Sequence, residues 1–195
     1  MRGAPLFGIL IYLTIGNNVN EVKKNLLNIL ICAVAVAVSY ATQVNFDVHT
    51  RPIIDTNLNI FVNDVLARKS WSRTSSFLSD TATLFFGISA IIFSRNKILG
   101  IIALTWSFIV AGLFRVAFGL HYPSDIIGGF ILGFACVYYF IRWSDTVSII
   151  DVEVGQKYIR ILQVFYYLLL MEAYSLFPGF QGLINSLGKL AKYLD

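Results

Sequence analysis

Charged side chains are scarce in this sequence: Asp, Glu, Lys and Arg make up 13% of the 195 residues, where a soluble domain carries roughly 25%. With 57% hydrophobic residues and a mean hydropathy of +0.71, too little charge remains to cover a water-facing surface. An ordinary soluble domain is excluded and an integral membrane protein is expected. Linkers are missing too: no repeat, low-complexity tract or Gly/Ser-rich stretch divides the chain, so one domain over 1–195 is expected. Cysteine is limited to Cys32 and Cys136. Each lies inside an apolar run, where a thiol behaves as a small hydrophobe, and neither informs on redox compartment. The net charge is +4, yet the basic residues are scattered among loops and form no basic face, which argues against nucleic acid. Orienting the protein and meeting lipid headgroups are their expected uses. Histidine occurs only at His49 and His121.

Long apolar runs are what the chain has instead. A helix needs about 20 apolar residues to cross a bilayer core, and five runs approach this: 25–42, 76–94, 97–114, 123–142 and 158–177. The predicted fold class is therefore all-α, an integral membrane helical bundle with five full spans plus a short N-terminal apolar helix, 5–15. That first run follows Arg2 and could be a signal-peptide core, but "TIGNNVNEV" offers no convincing cleavage site, which favours a truncated or re-entrant helix. Segment 53–69 is too polar to span and reads as an interfacial helix with a loop. The Gly-broken tail 178–195 is expected at the surface. Gly129 and Gly133 form a small-xxx-small pair that lets helices approach closely.

If the spans alternate in direction, four polar clusters open on one membrane face: "NFDVHTRP" (45–52), "SSFLSDTA" (75–82), Arg115 and "HYPSD" (121–125). Two are helix beginnings, whose free N–H groups and dipole favour an anion. Two bring arginines, which suit phosphate oxygens. Phosphate is the shared chemical demand. Pro123 is well placed at a helix's first turn, so His121 precedes the helix and Asp125 sits in its opening turn, close enough to hold one imidazole nitrogen. The other nitrogen is then free to attack phosphorus, with Arg115 neutralising the equatorial oxygens. From this stretch alone, a plainer reading has His121 capping a helix and Asp125 serving as its N-terminal acid.

The stretch "RVAFGLHYPSD" resembles the third signature of the membrane phosphatidic acid phosphatase type 2 superfamily: Ser-Arg, five residues, His, three residues, Asp. Arg115, His121 and Asp125 match, and Phe114 replaces the serine. "SFLSDTATLFF" (76–86) resembles the second signature, Pro-Ser-x-His, through Ser79. "TRP" (50–52) resembles the end of the first, Lys, six residues, Arg-Pro, through Arg51 and Pro52. The resemblance covers about 25–145, with 158–177 as an extra C-terminal helix. Within the superfamily the chain looks most like the bacitracin-resistance undecaprenyl-diphosphatases, partly through "FIRWSD" (140–145).

The resemblance implies a lipid-phosphate phosphatase, most plausibly acting on polyprenyl (undecaprenyl) diphosphate through a phosphohistidine intermediate. His121 is the nucleophile, Asp125 its orienting acid, and Arg51, Ser79, Arg115 and the backbone around Asp80 cradle the phosphate. No cofactor or metal is required, because arginines and helix ends supply the positive charge. The implied partners are a lipid-linked phosphate and membrane lipids, and a homodimer is left open. Three positions depart from the pattern: Val44 for the lysine, Leu78 for the proline and Thr81 for the histidine that protonates the leaving group. Threonine has no titratable proton near neutral pH. That loss weighs heavily for an expelled alkoxide and less for a departing phosphate, whose second pKa is about 6.

Two other functions compete. A catalytically impaired relative would bind lipid phosphates without turnover, and a transporter or scaffold would use Arg115, Asp125 and Glu172 for a substrate path or helix pairing. His49 could supply the missing proton, although a loop histidine meeting water or headgroups is the plainer expectation; Asp80 reads as a helix-start acid. Setting aside Arg51 and Arg115 as ligands and weighting the short loops puts Lys23, Lys24, Arg95, Lys97, Arg142, Lys157 and Arg160 on the cytoplasmic side. The site is then expected to face outward from the inner (plasma) membrane.

Overall fold

The structure is a computed structural model and describes residues 6, 9, 19–46, 48–55 and 75–147. Among the described residues the regular structure is entirely helical: α1 (Val19–Asn45), α2 (Asp80–Arg95), α3 (Lys97–Ser107), α4 (Phe114–Ala117), α5 (Pro123–Phe130) and α6 (Val137–Val147). A π-helical turn, Phe108–Leu113, joins α3 to α4, and another, Ile131–Cys136, joins α5 to α6. Residues 27–149 pack as one compact unit. Most of the run 5–15, the interfacial segment beyond Asp55, the run 158–177 with Glu172, and the tail 178–195 lie outside the described residues.

Among the described residues, three helices are long and apolar enough to cross a membrane: Leu27–Asn45, Lys97–Ala117 and Pro123–Ser144. Their ends differ from the sequence expectation for local reasons. The second expected run starts as a helix only at Asp80, because the Ser79 hydroxyl caps it by accepting the Ala82 N–H at 3.3 Å. The third runs on to Ala117 because the π-helical turn continues the backbone bonding rather than ending it.

Each span is turned inside out relative to a soluble helix. On α1 the residues at helical spacing that face inward are Asn28, Cys32, Ala35, Ser39 and Gln43, all buried, while Leu30, Val34 and Val38 are exposed. Along Lys97–Ala117 the buried positions include Gly100, Ala103 and Ser107, and the exposed ones Ile98, Ile101 and Ile102. Lipid tails are as apolar as leucine, so burying leucine gains little there, whereas small and hydrogen-bonding groups let helices approach and bond. Ser89 and Ser107 show this directly, their hydroxyls 2.8 Å apart in the interior.

Helix α2 is the centre of the unit. From Ala82 to Ile92 it is buried on nearly all sides, with Leu84 half-buried, and it packs against α3, α5 and α6. On the last span, Phe130, Phe134 and Tyr138 stack at i, i+4 spacing, and Phe86 and Phe93 of α2 meet that ladder edge-on. Below the ladder, Gly129 and Gly133 let the backbones touch. A Cβ at Gly129 would stand 2.8 Å from the Ala82 Cβ and 2.9 Å from the Ser79 carbonyl oxygen, and one at Gly133 would run into the Thr83 backbone.

This close approach makes Gly129→Ala destabilising. Overpacking of this kind costs about 1–3 kcal/mol, so the variant should melt several degrees below wild type in detergent. Gly112→Ala is the control, since its Cβ would meet only ordinary contacts at 3.5 and 3.6 Å; equal melting of the two variants would contradict the packing described.

Candidate active site

Three stretches without helical structure meet the start of α5. Residues 75–79 are tied to 48–55 by the Ser76 N–H on the His49 carbonyl and to the end of α1 by the Ser75 N–H on the Gln43 carbonyl, each 3.1 Å. The third stretch, 118–122, is tied to 48–55 by the Ile53 N–H on the Gly119 carbonyl at 2.8 Å. Gly119 has φ 65°, a left-handed conformation that glycine adopts without strain. That turn releases the chain from α4 and delivers His121 to the head of α5.

His121 is 1% exposed. Its Nδ1 lies 2.9 Å from the Ser76 carbonyl oxygen and 3.4 Å from Asp125 Oδ2. Its Nε2 lies 3.2 Å from Arg51 Nη1. A guanidinium can only donate, so Nε2 must accept and the proton sits on Nδ1. The tautomer is thus fixed from both ends. Burial pushes the imidazole below the ordinary histidine range; Asp125 partly restores it, and Arg115 and Arg51 depress it further.

Arg51 is also buried, at 8% exposure. Nη1 donates to the Leu120 carbonyl at 3.3 Å as well as to His121, and Nη2 donates to Gln43 Oε1 at 3.3 Å. Nε is buried with no partner. A buried orphan donor is costly, and an anion is the acceptor that a guanidinium best fits. Burial lowers the pKa of this group, and the charges of Asp80 and Asp125 oppose that shift.

Asp125, fully buried, serves two ends at once. Oδ2 accepts the Tyr122 N–H at 2.8 Å, capping α5, while facing His121. The plainer reading and the orienting role therefore share one carboxylate. Arg115 is half-buried at the end of α4, with Nη2 on the Thr81 hydroxyl at 2.6 Å. Its charge reaches His121. Asp80 Oδ1 accepts the Thr81 N–H at 2.7 Å. Ser79 is completely buried, its oxygen on the Ala82 N–H and its own N–H on the Asp125 carbonyl at 3.3 Å. The structure therefore brings Arg51, His121 and Asp125 into direct contact and puts Arg115 and Asp80 within electrostatic reach. Ser79 lies beneath them as a cap, and the Thr81 and Ala82 amides at the head of α2 are already engaged by side chains.

Two contributors, Gln43 and the Ser76 carbonyl, escaped the sequence, and a third, His49, is placed where the sequence did not expect it. Val44, at the lysine position of the first signature, is 53% exposed on the outer face of α1. Its neighbour Gln43 is buried, donates to the Leu78 carbonyl and holds Arg51. The inward stripe 28, 32, 35, 39, 43 was the available signal for it. Ser76 acts through a backbone carbonyl, which no residue letter announces. His49 sits behind Asp125, its Nε2 3.5 Å from Oδ1. Among the described residues no group of three His, Cys, Asp or Glu side chains is placed to hold a metal ion.

The bacitracin transport permease protein BcrC of Bacillus licheniformis is 42% identical over 59 residues, 30% of this chain and 29% of that protein. The chain thus aligns with less than a third of that relative's length. No solved structure matches the chain. The PAP2 superfamily matches residues 29–149, more than half of the sequence and the whole of the site just described, and the chain belongs to that family.

Proposed function

We propose that this membrane protein is a lipid-phosphate phosphatase whose preferred substrate is a lipid diphosphate of the polyprenyl type, and that His121 forms a phosphohistidine. The observation that carries the reading is the buried imidazole with Nε2 unprotonated and facing a guanidinium that has an unpartnered N–H. In the resting state Arg51 lies on the very lone pair that must attack. An arriving phosphate draws Arg51 and Arg115 onto its oxygens, uncovers Nε2 and places phosphorus in front of it.

The Nε2 lone pair then bonds to the terminal phosphorus as the P–O bond to the departing lipid monophosphate breaks, its electron pair leaving with that oxygen. The Nδ1 proton stays in place, and the cationic phosphohistidine is supported by the Ser76 carbonyl and Asp125. Water next attacks phosphorus, the P–N bond returns its pair to Nε2, and the product leaves as dihydrogen phosphate carrying both water protons, one of which it then gives up to solvent. Thr81 offers no proton to the first departing oxygen; instead its hydroxyl holds Arg115. A cation at that point stabilises a departing phosphate and does little for an alkoxide, which supports a phosphoanhydride substrate.

The lack of a titratable group at Thr81 also supports the second reading, a relative that binds lipid phosphate without turnover. The printed name of BcrC speaks of transport, but a fixed neutral tautomer suits nucleophilic attack better than a substrate path. We place the protein in the plasma membrane with the site outward, on the weight of basic residues in short loops.

Three outcomes test the proposal. His121→Gln should reduce phosphate release from polyprenyl diphosphate by at least about 10³-fold; equal release by variant and wild type would remove His121 from the chemistry, and binding without release by wild type would favour the second reading. Thr81→His should raise hydrolysis of a lipid phosphomonoester by about 10²–10⁴-fold and change the diphosphate rate much less. Because the His121 pKa is lowered, its lone pair persists as pH falls through the ordinary histidine value of 6.5. The acid limb of single-turnover phosphohistidine formation should therefore lie below that pH, and a limb above it would contradict the burial described.

A further inference from the structure

Asp125 has two carboxylate oxygens, and the nucleophile faces only Oδ2. Oδ1 faces the second histidine of the chain, with His49 Nε2 3.5 Å away. His49, about a third of whose side chain is exposed, is held by several partners. Its Nδ1 is 2.6 Å from the Ser76 hydroxyl, its ring meets Tyr122 edge-on with centroids 4.7 Å apart and Phe77 at 6.2 Å, and its carbonyl accepts the Ser76 N–H and the Ser75 hydroxyl. A carboxylate only accepts, so the Nε2 of a neutral ring carries the proton; the Ser76 hydroxyl, which lies against Nδ1, is also 3.4 Å from the His49 carbonyl and bonds Asp125. Ser76 thereby serves both imidazoles, through its hydroxyl to His49 and its carbonyl to His121.

We propose that His49 is a positioning residue: by donating from Nε2 to Asp125 Oδ1 it holds the carboxylate between two imidazoles and draws off charge that would otherwise fall on His121. The proposal rests on the reading of His121 as nucleophile. A carboxylate that loses a donor on one oxygen concentrates its charge on its remaining partners and strengthens their hold on protons. His121 would then protonate more readily and attack less readily. The charged and titratable groups around this chain of contacts are Asp125 between the two rings, Arg51 and Arg115 beyond His121, and Tyr122, whose hydroxyl donates to Asp55 at 3.2 Å. The arginines keep their charge throughout the accessible pH range.

The test uses full-length protein labelled with ¹⁵N-histidine in detergent. His49→Phe keeps a ring against Phe77 and Tyr122 but removes the N–H; His49→Gln keeps an N–H at the same reach. In either variant His121 is the sole imidazole, so its titration is assigned directly, and the wild-type signals are assigned with His121→Gln. The His121 midpoint should rise by about half a pH unit or more in His49→Phe and return to within about 0.2 in His49→Gln. On a lipid diphosphate, kcat should fall about tenfold in His49→Phe with KM within about twofold, and recover mostly in His49→Gln. A folded His49→Phe protein with an unshifted midpoint, or identical behaviour of the two variants, overturns the positioning role. Should His49→Phe fail to fold in a thermal melt, His49→Leu, which also removes the N–H, must shift the midpoint in the same direction or the role is likewise overturned. A wild-type protein that releases no phosphate would refute the nucleophile reading while leaving the midpoint comparison readable, so the two ideas fail separately.

Discussion

A buried imidazole can act on phosphorus only if one ring nitrogen keeps its proton while the other keeps its lone pair, and in water the two arrangements interconvert freely. Around His121 they do not. The Ser76 carbonyl and Asp125 both demand a proton on Nδ1, and Arg51, which has no lone pair to offer, demands that Nε2 have none. The rest of the described structure serves that constraint. Asp125 is fixed by capping α5, Arg51 is braced by Gln43 and the Leu120 carbonyl, and the Ser76 carbonyl is aimed by backbone bonds between 48–55 and 75–79. Such a network is valuable only when nearly complete, since an unpaired charge left inside costs about 3–5 kcal/mol.

The bundle that carries the network is held by close approach more than by bulk. Polar and small residues line the inward faces, branched apolar ones face outward, and Gly129 and Gly133 bring α5 and its continuation against α2. The same contact sets the distance between the two helix starts, joined by the Ser79 N–H on the Asp125 carbonyl. Packing and site geometry therefore share a register: what separates the helices also separates the groups gathered at their starts.

Much of this was legible because certain residues are unaffordable in an apolar chain without a reason. Arg51, Arg115, His121 and Asp125 announced themselves by type and spacing, and three of the five apolar runs, 25–42, 97–114 and 123–142, match candidate spans to within a few residues. What stayed hidden had physical causes. The Ser76 carbonyl is backbone and has no signature. Gln43 was missed because counting back from Arg51 lands on Val44, whereas a helix assigns faces by rotation, and a step of one residue turns about 100°. His49 read as a loop residue meeting water, and about a third of its side chain is indeed exposed. Its approach to Asp125 depends on two segments, 48–55 and 121–125, that only the tertiary fold brings together.

Helix α2 is 16 residues long, about 24 Å at 1.5 Å per residue, against a hydrocarbon core of about 30 Å. A helix of that length is roughly 6 Å shorter than such a core. Under the function proposed above, the groups gathered at its opening turn would lie below headgroup level, where a phosphate carried on a lipid arrives more readily than a soluble one.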